Sequence, residues 1–251
     1  MINGKWAKTA PNASASYLIT SFTEDNVDQA IELTKKAGLK YLYHYGKTFE
    51  NWGQFDLYKG EFPNGIEGLK KCVEKAEAAG IKLGTHVLSN FITTNDPYVT
   101  PIPDKRLAKV GSSIITNDID ATQTEILIKS PEFFNQMKNN NLKTVVINNE
   151  LIRYGSVSKE APWRLLNCQR GAFETEALTH KSGEKISKLL DHSYKVFLTN
   201  TDLTIEMSKN IANLYNQTGL RQISFDGLEG NRSTGLGTYG ESLMPYVWYN
   251  T

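Results

Sequence analysis

The sequence has few of the residues that build covalent or metal frameworks. Only two cysteines occur among its 251 residues, Cys72 in an apparent helix and Cys168 in a different segment, so a disulfide scaffold is not indicated. The chain contains no CxxC or HExxH spacing, and we therefore predict no metal site.

Charge of one sign and long apolar runs are also missing. The formal net charge is +1, without a long run of either sign, which argues against a nucleic-acid partner. No apolar stretch approaches the roughly 20 residues of a transmembrane helix, so no membrane association is expected. The N-terminus lacks the basic-then-apolar layout of a signal peptide. Localisation is therefore unknown, and a secreted or periplasmic location is expected only if a signal was removed.

The first part of the sequence alternates between strand and helix patterns. "ASYLIT", "LKYLYHYG" and "IKLGTHVLSN" are typical of buried strands, and two lysine-rich amphipathic helices separate them. The first helix has a predicted apolar stripe and ends at Gly38. The stripe consists of Val27, Ala30, Ile31, Leu33 and Ala37. Strand, helix, strand, helix, strand at this spacing predicts a parallel sheet with crossover helices.

A β-rich segment interrupts this alternation. Over residues 113–192 the helical period gives way to short β-type runs, and "TVVINNELIRYG" predicts a hairpin that turns at Asn148–Asn149. "SYKVFLTN" then predicts a strand, a helix capped by Thr201 follows, and "LRQISFDGLEG" is again a strand. We predict an α/β fold of TIM-barrel-like (β/α) units over residues 1–112 and 193–251, with an inserted β-rich domain over 113–192.

The predicted (β/α) units are too few for a complete barrel. A (β/α)8 barrel takes about 250 residues, and the insertion leaves chain for only part of that. Two alternatives stay open: a smaller open sheet, or an incomplete barrel that is part of a larger one. Exposed strand edges on such a half-barrel would be a liability, and a homodimer is one way to cover them.

Two segments resemble the α-galactosidase-like glycoside hydrolases, which are retaining α-glycosidases on (β/α)8 barrels. The first is "WGQFDLYKGEFPNGIEGLKKCVEKAEAAGIKLGTHVLSN", in which Trp52, the turn Phe62–Gly65 and the run Gly80–Gly84 match that family's third unit. The second, "FLTNTDLTIEMSKNIANLYNQTGLRQISFDG", is similar to the unit that leads into its fourth strand. The two segments cover about half of the chain.

The resemblance implies a role for Asp226, which falls where the family has its nucleophilic aspartate. The family's second strand ends in paired aspartates that bind sugar hydroxyls, and His44 and Tyr45 stand in those places here. Its general acid/base follows the sixth strand, beyond the part that matches. The resemblance implies a carbohydrate substrate and no cofactor.

The residue pattern alone also indicates a site at the carboxyl ends of the strands, where parallel β/α folds bind ligands. Asp226 and Glu229 are the candidate catalytic carboxylates, because a retaining glycosidase needs two carboxyl groups about 5–5.5 Å apart. The candidate substrate-binding residues also follow strand ends or carry aromatic platforms: His44, Tyr45, Trp52, His86, Asn90 and Asn200. For Trp52 and Tyr45, sugar stacking and core packing are equally open. The remaining histidines, His180 and His192, are expected to be structural.

The function predicted from these observations is glycoside hydrolysis of a poly- or oligosaccharide, with Asp226 as nucleophile. Two alternatives remain. The first is a carbohydrate-binding module or fragment of a larger barrel enzyme, which uses the same pocket without turnover. The second is a metal-dependent barrel hydrolase in which His44, His86 and Asp226 would be the ligands.

Overall fold

The computed structural model describes residues 16–251, so most of the N-terminal segment used for the signal-peptide argument lies outside the described residues. The strands in chain order are β1 (Tyr17–Thr20), β2 (Tyr41–His44), β3 (Lys82–Leu88), β4 (Phe91–Ile92), β5 (Lys109–Ile114), β6 (Ile126–Leu127), β7 (Thr144–Ile147), β8 (Glu150–Arg153), β9 (Ser156–Val157), β10 (Arg164–Leu166), β11 (Lys185–Leu189), β12 (Asp191–His192), β13 (Val196–Leu198) and β14 (Gln222–Asp226). The helices are α1 (Val27–Lys36), α2 (Gly65–Ala78), α3 (Thr201–Thr218) and α4 (Gly240–Asn250).

The chain divides into two compact units. The first contains the residues up to Glu50, Phe55–Val87 and Ile211–Asp226, and the second contains Asn51–Gln54, Leu88–Asn210 and Gly227–Thr251. The β-rich segment predicted over 113–192 lies within the second unit. The predicted domain boundaries themselves stay a prediction.

The first unit is built on a four-stranded sheet in the order β1-β2-β3-β14. β1, β2 and β3 pair in parallel, with Tyr17 opposite Tyr41 and Tyr43 opposite Gly84. β14 lies next to β3, and the Arg221 N–H donates to the Leu83 carbonyl oxygen. The sheet therefore has four strands, and its order follows the predicted (β/α) pattern of strands joined by crossover helices.

The helix of the first β/α unit begins and ends close to the predicted residues. α1 buries Val27, Ala30 and Ile31, and the chain leaves the helix at Gly38, whose φ of +69° is the left-handed conformation that favours glycine. The predicted stripe is wrong at Ala37, which is exposed, and at Leu33, which is 52% exposed. Thr34 is buried in its place, because its hydroxyl donates to the Ala30 carbonyl at 2.7 Å and so satisfies its polar atom within the helix.

The second unit contains three antiparallel sheets. Their strand orders are β5-β11-β7-β8, β6-β10-β9 and β12-β13-β4. The predicted hairpin at Asn148–Asn149 is confirmed: Ile147 pairs with Glu150, and Asn148 has a φ of +51°. The strand predicted in "SYKVFLTN" is β13, but it pairs antiparallel with β12 and β4 and is not a strand of the parallel sheet.

The core of the β-rich segment is aliphatic. Its fully buried members come from most of the strands between β5 and β11 and include Ile115, Ile126, Val145, Leu165 and Ile186. Both cysteines are free and buried, in agreement with the absence of a disulfide framework.

Candidate functional site

In the first unit, Asp226 is the last residue of β14 and its side chain is exposed. The next residue, Gly227, has a φ of +67°, which lets the chain turn sharply away from the strand. The sequence pattern of a strand that runs into an aspartate and a glycine therefore corresponds to a strand end with an accessible carboxylate. We call Asp226, Tyr43, Tyr45, His86 and Ser224 the strand-end cluster.

The rings of the strand-end cluster lie within contact distance of one another. The ring centroid of His86 is 6.4 Å from that of Tyr43 and 6.0 Å from that of Tyr45. Tyr45 is exposed and His86 is partly buried, so both rings reach solvent. An aromatic ring beside an imidazole offers a surface for stacking together with a polar edge.

The pKa shifts of the cluster place the Asp226 carboxylate within electrostatic reach of two of its rings. Burial lowers the pKa of His86, and the Asp226 charge acts in the opposite direction and raises it. Burial raises the pKa of the Tyr43 hydroxyl, its hydrogen bond with Ser224 lowers it, and the charge of Asp226 adds to the upward shift. A carboxylate, an imidazole and a phenol hydroxyl thus interact at this strand end.

His44 does not belong to this cluster. It is 2% exposed, its Nδ1 accepts a hydrogen bond from the Phe22 N–H at 3.2 Å, and its Nε2 lies 2.7 Å from Glu61 Oε2. Successive side chains of a strand point to opposite faces of the sheet, so His44 cannot share a face with its neighbours Tyr43 and Tyr45. In register His44 lies opposite Thr85, one residue before His86. We expected His44 and His86 to face the same pocket. The structure does not bring them together there.

The side chains of Asn90 and Asn200 make hydrogen bonds to other residues of the second unit. Asn90 is fully buried, and its Nδ2 donates to the Gly230 carbonyl at 3.1 Å and to Ser233 Oγ at 2.9 Å. Asn200 Oδ1 accepts the Leu203 N–H at 3.0 Å, which makes Asn200 the N-cap of α3. The predicted cap, Thr201, is wrong by one residue, because α3 begins at Thr201 itself.

Trp52 is in the second unit and packs against an apolar cluster. The cluster consists of Leu88, Phe91, Ala108, Val196 and Leu198. Of the two roles left open for this ring, the observed contacts are those of core packing.

Glu229 lines a cavity of about 380 Å³ that lies within the second unit. The cavity is lined by Asn139, Leu190, His192, Leu198, Glu229, Gly230, Arg232 and Ser233. Sequence reasoning assigned His192 to a structural role and did not consider Asn139 or Arg232. No local pattern could have brought these residues together, because they come from three segments that are far apart in the chain. We call this cavity the Glu229 pocket.

Within residues 16–251 no group of three or more His, Cys, Asp and Glu side chains is placed to share a metal ion. None of the helices in that range is both long and apolar enough to cross a membrane.

Comparison with known proteins gives a likeness in structure alone. By sequence, no protein family and no curated protein matches the chain. The trehalose-6-phosphate hydrolase of Bacillus licheniformis superposes with a TM-score of 0.51 at 10% identity, over 98% of this chain and 43% of that protein. An α-galactosidase from Lactobacillus brevis superposes with a TM-score of 0.47 at 10% identity, over 94% of this chain and 25% of that protein.

The superposition on the trehalose-6-phosphate hydrolase confirms the fold class. The chain has a mixed helix and strand fold of TIM-barrel-like (β/α) units, and it spans less than half the length of the hydrolases it superposes on. That coverage agrees with an incomplete barrel, one of the two alternatives predicted from the sequence. At this identity the likeness extends to the glycosidase-like fold and does not identify a superfamily.

Proposed function

We propose that this chain is a carbohydrate-active protein of the glycoside hydrolase type, in which Asp226 is the nucleophile of a retaining mechanism. The observation that carries the proposal is the position of Asp226 at the end of β14, exposed and within electrostatic reach of His86 and Tyr43. Sites of parallel β/α folds lie at such strand ends. The resemblance of the segment around Asp226 to the α-galactosidase-like enzymes adds support.

In this mechanism the Asp226 carboxylate attacks the anomeric carbon while the glycosidic bond breaks and the leaving oxygen takes a proton from a general acid. Water then hydrolyses the glycosyl ester, which releases the sugar and the Asp226 carboxylate. Tyr45 and His86 would contact the sugar ring from the same strand-end cluster. We propose supporting roles for His44, Asn90 and Asn200, whose side-chain hydrogen bonds lie within the protein. The acid/base role predicted for Glu229 stays a prediction.

The test is covalent trapping of the nucleophile with 5-fluoro-α-glycosyl fluorides in gluco, galacto and manno configurations. The carboxylate forms a bond to the anomeric carbon, and fluoride leaves with the electron pair of the broken C–F bond. Since fluoride needs no proton to leave, the test does not depend on a general acid. We expect a mass increase of one glycosyl group that maps to Asp226, absent in Asp226→Asn.

Asp25→Asn is the matched control, since Asp25 is an exposed aspartate of the same unit and should leave the labelling unchanged. Label on a different carboxylate would contradict the assignment of Asp226. No label with any of the three reagents would favour the alternative function, a carbohydrate-binding module or barrel fragment. The coverage of only 43% of the similar hydrolase is the observation that favours this second candidate.

A further inference from the structure

We propose that the Glu229 pocket is a binding site for a neutral saccharide, held through its vicinal hydroxyl groups. The pocket belongs to the second unit, and the inference does not depend on the chemistry proposed for Asp226. Its volume of about 380 Å³ lies within the range of small-molecule sites, roughly 300–1,000 Å³.

The first argument is that the lining contains a solvent-exposed carboxylate without a protein partner among the described residues. Glu229 is exposed to the pocket, and no hydrogen bond or ion pair reaches its carboxylate from the rest of residues 16–251. A carboxylate accepts hydrogen bonds at two oxygens and can take two adjacent hydroxyl groups at once. Bonds of this charge-assisted kind are the stronger ones.

The second argument is the charge balance, which disfavours an anion. Arg232 is the guanidinium of the lining, but Glu241 already neutralises it, through contacts of 2.8 Å to Nε and 2.7 Å to Nη2. The charge that remains is that of Glu229. A phosphate, sulfate or carboxylate ligand would be repelled by it, whereas a neutral polyhydroxylated ligand would donate to it.

The third argument is that the walls are held in place before any ligand binds. Ser233 Oγ donates to the Thr199 carbonyl at 2.7 Å and accepts from Asn90 at 2.9 Å. The His192 ring contacts Phe91, at 4.6 Å between ring centroids, and Tyr194, at 4.9 Å. Preorganised polar groups lower the entropic cost of binding.

The fourth argument is the mixture of polar and apolar lining. Leu190 and Leu198 supply apolar surface, and Asn139, His192 and Glu229 supply hydrogen-bonding groups. A pyranose ring presents C–H groups on its faces and hydroxyl groups at its edge, so it matches a site with a few convergent polar groups on an apolar wall.

The experiment measures binding of methyl α-D-glucopyranoside and methyl α-D-galactopyranoside to the full chain by ligand-observed NMR titration, with methyl α-D-glucuronide as the anionic probe. We expect millimolar binding of at least one neutral glycoside and weaker binding of the glucuronide. Glu229→Gln should weaken binding of the neutral glycoside by about tenfold or more, because it removes a charged acceptor. Glu132→Gln, at an exposed glutamate of the same unit, should leave binding unchanged.

Two further variants separate this pocket from the strand-end cluster. Leu190→Trp should abolish binding at the Glu229 pocket by filling the cavity, and Asp226→Asn reports any sugar that binds at the strand-end cluster. The inference is overturned if neither neutral glycoside binds, if the glucuronide binds more tightly, or if Asp226→Asn weakens binding while Glu229→Gln does not. That last pattern would place the sugar at the strand-end cluster and so leave the proposed function standing.

Discussion

Two carboxylates of this chain, Glu150 in the β-rich segment and Asp226 at the end of β14, differ in what surrounds them. Glu150 is fully buried, and its oxygens accept hydrogen bonds from Arg170, from His180 Nε2 at 2.7 Å and from two backbone N–H groups. Asp226 is exposed at a strand end and acts electrostatically on neighbouring rings. A buried charge held by several hydrogen bonds maintains structure, whereas a carboxylate at the surface is accessible to a ligand.

The same contrast separates the histidines of the parallel sheet unit. Both ring nitrogens of His44 have protein partners, while His86 is partly buried and has Asp226 as the charge that acts on its pKa. Residue type therefore does not distinguish the buried groups from the exposed ones in this chain. The predictions that follow test whether the buried groups are the ones that maintain the structure.

The largest effect is expected from Glu150→Gln. The substitution removes the charge that compensates Arg170, whose side chain is 5% exposed, and loss of one partner of a buried ion pair costs about 3–5 kcal/mol. Urea unfolding followed by circular dichroism measures the change in the free energy of unfolding. Glu176→Gln, at an exposed glutamate of the same segment, should cost less than about 0.5 kcal/mol. If Glu150→Gln lowers the free energy of unfolding by less than 1 kcal/mol, the buried Glu150 and its partners do not stabilise the fold substantially.

A related effect is expected on acidification. Burial alone would raise the pKa of Glu150, but hydrogen bonds from His180, Arg170 and the backbone lower it to about 2, against an ordinary value of 4.5. A depressed carboxyl pKa stabilises the fold above the unfolded value, and this stability is lost as pH falls from 4.5 toward 2. The shift corresponds to about 3 kcal/mol.

Urea unfolding measured across this pH range should show that loss in the parent chain. Glu150→Gln should have a flatter pH dependence over the same interval, since it has no carboxyl group to protonate at this position. Equal slopes in the two proteins would assign the acid lability to other carboxylates.

A smaller effect is expected from a matched pair of histidine substitutions in the parallel sheet. His44→Leu leaves the buried Phe22 N–H without its acceptor and removes the imidazole partner of Glu61 Oε2, at a cost of about 1–3 kcal/mol. His86→Leu should cost less than about 0.5 kcal/mol, because the ring is only partly buried. Differential scanning calorimetry of the two variants compares them directly. Equal costs would remove the distinction drawn between the two histidines.

Much of the fold could be predicted from local patterns, but the burial or exposure of individual side chains could not. Hydrophobic periodicity located α1 and β2, and two asparagines marked the hairpin at Asn148–Asn149. In the run "YLYH" the residues on both faces of the strand, Tyr43 and His44, are buried, and the alternation of side chains alone does not reveal this. For the same reason Leu33, an apolar residue at helical spacing, is exposed, while Thr34 is buried through its bond to the backbone.

The candidate site was predictable where it depends on one strand end and not where it depends on distant segments. Asp226 and its glycine are adjacent in sequence, so the pattern reveals them. The Glu229 pocket joins residues of three segments between Asn139 and Ser233, and no periodicity or motif encodes those contacts. β13 illustrates the same limit, because its apolar sequence predicts a strand without revealing that its partners are β4 and β12.

The smallest effect, and the most direct probe of the strand-end cluster, is the titration of His86 in Asp226→Asn. Burial lowers the pKa of His86 and the Asp226 charge partly offsets that shift, so removal of the charge should lower the pKa further. NMR titration of the imidazole Cε1 proton measures it, with His86→Leu to assign the signal and Asp25→Asn as the control that should not move it. The direction of the change in the His86 pKa tests whether Asp226 and His86 interact. A lower pKa in Asp226→Asn means that the carboxylate and the imidazole interact in solution, whereas an unchanged pKa means that Asp226 acts apart from the ring and that the strand-end cluster is not one site.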